Sequence, residues 1–247
     1  MISINRDMSI INRNKRKLCL VMSIYLMILI ILSFESIDDK SPVTMLFDTS
    51  FRDNGNIIDY KNFVFPISFL VIHFVPVFFI SEILYKDHLR MGTYTIPKFG
   101  TKRKYLISKV MTSVIYNFLT GILFFTLLIL ALSLKGSNEE YKIFGLIRIG
   151  IFYTLENIVL GSLVIIISIF YSFNLALIYL LINLLGAIFT NWMIFLGQGS
   201  LLMKQDFYGG YFTLSRNVLF IILYFIIIVG LIGFFPKRMN YYGRKND

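Results

Sequence analysis

The sequence is short of charged residues, alanine and cysteine, and it is rich in long apolar runs. Only 15% of its 247 residues are charged and 57% are hydrophobic, whereas a soluble domain carries about 25% charged residues. A soluble core of this size could not hide so much apolar surface, so the charge-free stretches predict membrane-spanning helices. The presence of only three alanines, against abundant Ile, Leu, Phe, Asn and Lys, is typical of an AT-rich bacterial genome.

Several kinds of catalytic and metal site are missing from the sequence. Cys19 is the sole cysteine, so no intrachain disulfide or cysteine-based metal cluster can form. His73 and His88, the two histidines, cannot make a two-histidine zinc site on one helix face. No Gly-x4-Gly-Lys-Ser/Thr phosphate loop is present. Ser200 follows a glycine, but the later spans contain no histidine to activate it. We therefore predict no catalytic residue, metal or cofactor on this chain.

Six apolar runs are long enough to cross the roughly 30 Å hydrocarbon core, which takes about 20 helical residues. We predict an all-α, polytopic membrane protein with a single transmembrane domain over residues 1–247. The predicted spans lie near 18–34, 63–85, 106–134, 149–170, 175–196 and 216–235. Only residues 171–174 separate the fourth span from the fifth, and a single re-entrant pair is the alternative there.

The distribution of Lys and Arg predicts the orientation of these spans. Segments 1–17, 86–109 and 236–247 hold five, seven and four such residues, sixteen of the 24 in the chain. Segment 35–62 carries six acidic residues against three basic ones. The positive-inside rule therefore predicts that both termini are cytoplasmic, in a bacterial cell membrane, and that 35–62 is an extracellular loop.

The net charge of +10 is explained by the same pattern. The basic residues flank apolar runs and do not form a soluble patch interleaved with aromatic residues, so no nucleic-acid partner is predicted. Basic flanks of this kind suit anionic lipid headgroups. Residues 1–17 mix isoleucines with charged residues, which favours an interfacial helix lying on the inner leaflet.

Polar residues inside the predicted spans are candidate functional residues, because charge at that depth is costly. Glu156 and Asn157 lie about two turns into the fourth span. They are candidates for a translocation path; the alternatives are a buried pairing that fixes helix packing and a shallow position near the outer interface. His73 lies near two prolines and is predicted to bond to backbone groups freed at a proline kink. Arg148 is predicted to be an interfacial anchor.

The segment 81–109, between the second and third spans, is the most informative stretch. It is predicted to contain a cytoplasmic loop, 86–105, with a short amphipathic piece that presents a small apolar knob. That knob comprises Leu89, Met91, Tyr94 and Ile96. A knob of this kind suits docking into a groove of another protein. The alternative is a basic interfacial helix that rests on lipid headgroups.

The same segment resembles the loop between the second and third spans of ABC-2-type transporter permeases. In that family a glutamate closes the second helix, a Gly-Thr follows, and a basic cluster with a downstream lysine opens the third helix. The matching residues are Glu82, Gly92-Thr93, Thr101-Lys102-Arg103 and Lys109. Six spans, two internal termini and a partly apolar outer segment, 197–215, also agree with the family plan.

The resemblance implies a mechanical role. Such a permease forms half of a transmembrane unit, pairs with a second permease half, and docks on cytosolic ATPase subunits that bind ATP and Mg. The segment 86–97 would be the coupling helix seated in a cleft of the ATPase. The residues expected to serve this coupling are Glu82, Asp87, Leu89, Arg90, Met91, Gly92 and Thr93.

The resemblance also suggests a cargo. Small permeases of this kind often export amphipathic peptides or toxins, such as bacteriocins or phenol-soluble modulins, or give immunity to them. Lipid, drug or ion export are the alternatives for the cargo. A different function altogether is a stand-alone membrane immunity or sensor protein that binds a peptide without ATP.

Overall fold

The computed structural model describes residues 2–35, 46–47, 66–135 and 143–238, and these residues are helical or lie in turns, with a single isolated β-bridge. The predicted extracellular loop, 35–62, and the last residues of the chain fall almost wholly outside this part. The α-helices are α1 (Ile2–Arg13), α2 (Lys15–Glu35), α3 (Ile67–Lys98), α4 (Lys102–Lys135), α5 (Ile143–Phe170), α6 (Phe173–Phe189) and α7 (Leu214–Phe234). Short 3₁₀ turns cover Leu202–Lys204, Asp206–Tyr208 and Phe235–Arg238.

Four of these helices, α3, α4, α5 and α7, are long and apolar enough to cross a membrane, and α6 is a shorter apolar helix. The all-helical architecture predicted from the apolar runs is therefore confirmed for the described residues. The helix α2 is continuous over 21 residues and covers the first predicted span.

Helix α6 ends earlier than the hydropathy of the sequence predicts. The fifth span was expected to reach residue 196, but the helix stops at Phe189, and Thr190 adopts an extended conformation. The Lys204 ammonium donates to the carbonyl oxygens of Ala187, at 2.6 Å, and Thr190, at 2.5 Å. A cation on the last carbonyls is a favourable helix end. The apolar residues after Phe189 therefore turn back over the bundle.

Helices α3 and α4 form a hairpin that is much longer than a membrane span. With 32 and 34 residues they extend about 48 and 51 Å at 1.5 Å per residue, against a hydrocarbon core of roughly 30 Å. The expected loop at 86–105 is instead mostly helix, and the turn comprises Phe99, Gly100 and Thr101. Gly92 did not break α3 because a helical glycine is destabilising by only about 1 kcal/mol, which packing around it offsets.

Helix α5 lies at the centre of the bundle, and α3, α4, α6 and α7 pack around it. Glycines let its backbone approach α4 closely. A Cβ atom added at Gly161 of α5 would lie 2.4 Å from Asn117 Nδ2 of α4, and one added at Gly121 of α4 would lie 2.6 Å from Thr154 Oγ1 of α5. Small residues that admit a neighbouring helix are typical of membrane bundles.

The bundle has two distinct ends. At one end, α1 lies against the last turns of α3 and the first turns of α4; we call this the α1 end. At the other, the segment 190–213 packs against the first halves of α3 and α5; we call this the loop end. Each end contains a buried cluster of polar side chains.

Candidate functional site

The α1 end contains a closed network of four charged side chains. Lys109 of α4 donates to Asp7 Oδ1 at 2.9 Å and to Asp87 Oδ2 at 2.5 Å. Arg6 reaches Asp87 Oδ1 at 2.8 Å and Asp7 Oδ1 at 3.1 Å. Ser108 Oγ donates to the remaining oxygen of Asp7 at 2.8 Å. The two cations balance the two carboxylates, so no net charge is buried.

This network joins three segments that are distant in sequence, namely α1, the end of α3 and the start of α4. Lys109 and Asp7 are fully buried. Buried ion pairs contribute favourably only when the geometry is good and further hydrogen bonds satisfy the remaining polar atoms. Both conditions are met here, and the network fixes α1 to the hairpin.

A second, less buried ion pair ties α2 to α3. The Glu82 carboxylate accepts hydrogen bonds from the ammonium group of Lys17 in α2 and, at 2.5 Å, from that of Lys86, one turn further along α3. A separate hydrogen bond joins α4 to α1, where the Tyr116 hydroxyl donates to Asn12 Oδ1 at 2.5 Å. The predicted coupling residue Glu82 therefore serves as a structural tie between helices.

The tip of the hairpin presents the predicted apolar knob. Leu89 is 41% exposed, Met91 47% and Tyr94 69%. Arg90 and Thr93 are exposed beside them. These residues form a mixed apolar and basic surface on a helix that is continuous with α3.

Ile96 does not belong to this knob, contrary to the sequence-based expectation. It is 2% exposed and packs with Tyr105, Phe99 and Phe170. Because α3 continues as a helix, Ile96 shares a face with Gly92 four residues before it. Gly92 is buried as well, and a Cβ there would lie 3.1 Å from the His88 ring. Of the predicted coupling residues, Leu89, Arg90, Met91 and Thr93 are exposed, whereas Asp87 and Gly92 are packed inside.

The loop end contains a hydrogen-bonded chain centred on Ser200. Its hydroxyl lies 2.7 Å from Glu156 Oε2 and 3.1 Å from His73 Nε2, and it also contacts the carbonyl oxygen of Gly197 at 3.0 Å. The other Glu156 oxygen accepts the Gly199 N–H at 2.7 Å. His73 Nδ1 lies 2.7 Å from Asn157 Oδ1.

The hydrogen-bonding capacity of these groups defines a consistent arrangement. If Ser200 donates to the Glu156 carboxylate, His73 Nε2–H must donate to Ser200. The neutral ring then needs a donor at Nδ1, and Asn157 Nδ2 has no partner among the described residues. An Asn157 amide turned by 180° satisfies both atoms.

The backbone carbonyl that Pro76 leaves free in α3 does not bond to His73, as was expected, but to another side chain. Pro76 lacks an N–H, so the carbonyl oxygen of Ile72, four residues earlier, is not bonded within α3. The Tyr153 hydroxyl of α5 donates to that oxygen at 2.9 Å, and Tyr25 of α2 contacts the same hydroxyl at 3.2 Å. The sequence-based expectation that His73 bonds freed backbone is therefore wrong, because its ring bonds to the side chains of Asn157 and Ser200.

Glu156 and Asn157, the candidates for a translocation path, are both buried. In this conformation Glu156 bonds to the 197–200 turn, and Asn157 lies against His73. Gly197, at φ +111°, and Gly199, where a Cβ would lie 2.9 Å from Glu156 Oε1, allow the turn to approach. The cavity that Glu156 lines is about 10 Å³, room for about one water molecule.

The contact between Ser200 and His73 also corrects the sequence-based reasoning about the serine. The histidine that was sought in the later spans comes from α3, 127 residues earlier. Both side chains are fully enclosed. The pair therefore acts as a packing contact in this conformation.

Arg148, predicted to be an interfacial anchor, is enclosed by protein at the loop end. It is 8% exposed, its Nη1 donates to Asp206 at 2.6 Å, and its Nη2 contacts Gln205 Oε1 and the carbonyl oxygen of Phe212, each at 3.3 Å. The guanidinium also lies 5.0 Å from the Phe207 ring centre. Arg148 thus holds the segment 205–212 against α5.

The comparisons with known proteins identify no relative. No family model, no curated protein and no solved structure matches the chain.

Proposed function

We propose that this chain is the permease subunit of an ATP-binding cassette exporter, and that it docks on a cytosolic ATPase through the tip of the α3–α4 hairpin. The observation that carries the proposal is the exposed surface formed by Leu89, Arg90, Met91 and Tyr94. Exposed apolar side chains on a helix are the anchors that helix-in-groove docking uses. The resemblance of the segment 81–109 to ABC-2-type permeases supplies the identity of the partner.

The proposal includes a topology. With α2 and α6 counted beside the four long apolar helices, the chain has six spans in a bacterial cell membrane. The basic residues of segments 1–17 and 86–109 lie at the α1 end, so the positive-inside rule makes that end cytoplasmic, together with both termini. The loop end is then extracellular.

The structure offers a way to transmit movement. The hairpin is formed by two unbroken helices, and the Arg6, Asp7, Asp87 and Lys109 network fixes it to α1. A push on the tip would therefore move α3 and α4 as a unit. Coupling requires an element with two positions, and nucleotide binding to the partner must favour one of them. We propose that the α3–α4 hairpin is this element.

The cargo we propose is an amphipathic peptide or toxin, carried by two permease halves, identical or different. Glu156 and Asn157 stay candidates for the path only in a state where the 197–200 turn moves away from them. In the enclosed state Glu156 positions that turn.

The first experiment is purification of the tagged protein from its native membrane in mild detergent, with co-purifying chains counted by mass spectrometry. We expect one ATPase subunit to co-purify with each permease chain. Replacing Leu89, Met91 and Tyr94 together by alanine should remove the ATPase without changing the elution profile of the permease.

A matched control replaces three exposed apolar residues on α2, namely Leu26, Met27 and Ile30, by alanine. This variant should retain the ATPase. If the native protein elutes without any ATPase, the docking proposal fails, and binding of peptide without ATP, by a stand-alone immunity or sensor protein, becomes the better account.

A further inference from the structure

Glu156 is a buried carboxyl group without a cation as its partner. It is 3% exposed, and its hydrogen bonds come from neutral donors. Two buried cations of the loop end bond elsewhere, Arg148 to Asp206 and Lys204 to the last carbonyl oxygens of α6. A buried charge without a counterion is costly, whereas a neutral acid with hydrogen-bonding partners is not. The neutral acid is therefore a second state that this position can adopt.

The hydrogen-bonding partners of Glu156 suit the carboxylate and the acid alike. The carboxylate accepts the Ser200 hydroxyl, as described above. A proton on Oε2 of the acid can be donated to Ser200 Oγ across the same 2.7 Å. The Ser200 hydroxyl then turns to the Gly197 carbonyl oxygen, at 3.0 Å, or to His73 Nε2 in the other tautomer of the ring, at 3.1 Å. Because a hydroxyl has one donor and two lone pairs, each state is satisfied without movement of a heavy atom.

A small cavity gives this carboxyl group a route to the surface. It has room for about one water molecule, and its lining includes Glu156, Met193, Arg216 and Asn217. Arg216 is exposed, in the first turn of α7 at the loop end. The cavity therefore extends from the buried carboxyl group towards a solvent-facing residue.

Few other titratable groups surround Glu156. His73 of α3 is reached through Ser200, the Tyr153 ring lies 4.8 Å from the His73 ring, and Arg216 of α7 lines the cavity. Helices α4 and α6 add no charged side chain to the cavity lining or to the described hydrogen bonds of Ser200. Glu156 is thus the one carboxylate at this position among the described residues.

We propose that Glu156 binds and releases one proton, which it exchanges with the loop-end side of the bundle through this cavity. On binding, an O–H bond forms at Oε2 with a proton from water in the cavity, and on release the proton returns to that water. The Ser200 O–H bond stays intact and only changes direction. A neutral acid holds the Gly199 N–H less strongly than a carboxylate does, so proton binding loosens the 197–200 turn. This inference does not depend on docking to an ATPase.

The test is infrared difference spectroscopy of the full-length protein in nanodiscs, with glutamate isotopically labelled at its carboxyl carbon. Spectra are recorded before and after a step from about pH 8 to about pH 5, and after the return. We expect a reversible carboxylic-acid band in the unaltered protein that is missing from Glu156→Gln. Identical difference spectra for the two proteins would overturn the proposal.

A second variant tests the role of Ser200. Ser200→Ala removes a donor that stabilises the carboxylate, so the band should appear at a pH about one unit higher than in the unaltered protein. Unfolding curves recorded in the same nanodiscs verify that both variants are folded. A folded Ser200→Ala variant with an unchanged titration would contradict the assignment of the hydroxyl.

The route is tested with a matched pair of tryptophan variants. Met193→Trp fills the cavity and should slow the appearance of the band about tenfold or more after the pH step. Ile194→Trp changes the next residue, which is 61% exposed and is not part of the cavity lining, and should leave the rate unchanged. Equal rates in the two variants would rule out exchange through the cavity.

Discussion

The two ends of the bundle stabilise their buried polar side chains in different ways. Both bury polar side chains among apolar helices. At the α1 end, two cations meet two carboxylates directly, with Lys109 between Asp7 and Asp87. At the loop end, the Glu156 carboxylate accepts hydrogen bonds from neutral donors, the Gly199 N–H and the Ser200 hydroxyl.

The difference bears on what each end tolerates. In a charge-balanced network, the loss of one member leaves an uncompensated buried charge, which is strongly destabilising. In the loop-end chain, each hydroxyl or amide can both donate and accept, so a substitution that keeps the shape leaves the hydrogen bonds satisfied. We therefore expect the four-residue network at the α1 end to be sensitive to charge, and the Ser200 chain at the loop end to be sensitive to shape.

The largest effect should come from Lys109→Met. Removing this cation leaves Asp7 and Asp87 buried with only the partly exposed Arg6 between them. We expect a loss of about 3–5 kcal/mol in the free energy of unfolding, measured by denaturation in detergent. The double variant Asp7→Asn with Lys109→Met removes one charge of each sign and should recover part of the loss. A double variant as unstable as the single one would show that charge balance is not what matters.

The next prediction contrasts two changes at Glu156. Glu156→Gln keeps an acceptor for the Gly199 N–H and can donate to Ser200, which then donates to His73, so stability should change by less than about 1 kcal/mol. Glu156→Leu removes the acceptor of the Gly199 N–H and should cost about 1–3 kcal/mol. Thermal unfolding and proteolysis of the 197–213 segment would measure both. An equally large loss in Glu156→Gln would mean that the negative charge itself is required.

A third prediction concerns the tight core between the two ends. A Cβ at Gly161 would lie 2.4 Å from Asn117 Nδ2, whereas a Cβ at Gly230 of α7 meets nothing within 4 Å. Gly161→Ala should destabilise the bundle by about 1–3 kcal/mol through overpacking. Gly230→Ala should be neutral or slightly stabilising, since alanine favours helix by up to about 1 kcal/mol. Melting temperatures in the same detergent would compare them, and equal effects would contradict the packing described for α5.

Hydropathy predicted where the helices lie but not which polar side chains meet. The long apolar helices follow from the apolar runs, because a helix that can cross a membrane needs an apolar composition over about 20 residues. The pairing of Asp7 with Lys109 joins residues 102 positions apart, and that of His73 with Ser200 joins residues 127 positions apart. No local pattern specifies such pairs, since they depend on how the helices pack.

Two local errors have physical causes. The apolar run resumes from Trp192 to Leu196 after Thr190 and Asn191, so hydropathy did not show that α6 ends early, where Lys204 bonds to its last carbonyls. At the hairpin, Gly92 favoured a loop, but α3 continues as a helix through Lys98 because packing around Gly92 offsets its cost. Once that helix is assumed, its period places Ile96 on the same face as Gly92.

The smallest effects should be at Glu82, where the ion pairs are only partly buried. Lys86 is 55% exposed, so Lys86→Met should change stability by less than about 1 kcal/mol. Lys17→Met should have a somewhat larger effect, because Lys17 is less exposed and also lies 5.9 Å from the Phe79 ring centre. Raising the salt concentration should shrink both effects, because exposed charges are screened, while the effect of Lys109→Met persists. A Lys86→Met variant as unstable as Lys109→Met would remove the distinction between buried and exposed charge on which the contrast of the two ends rests.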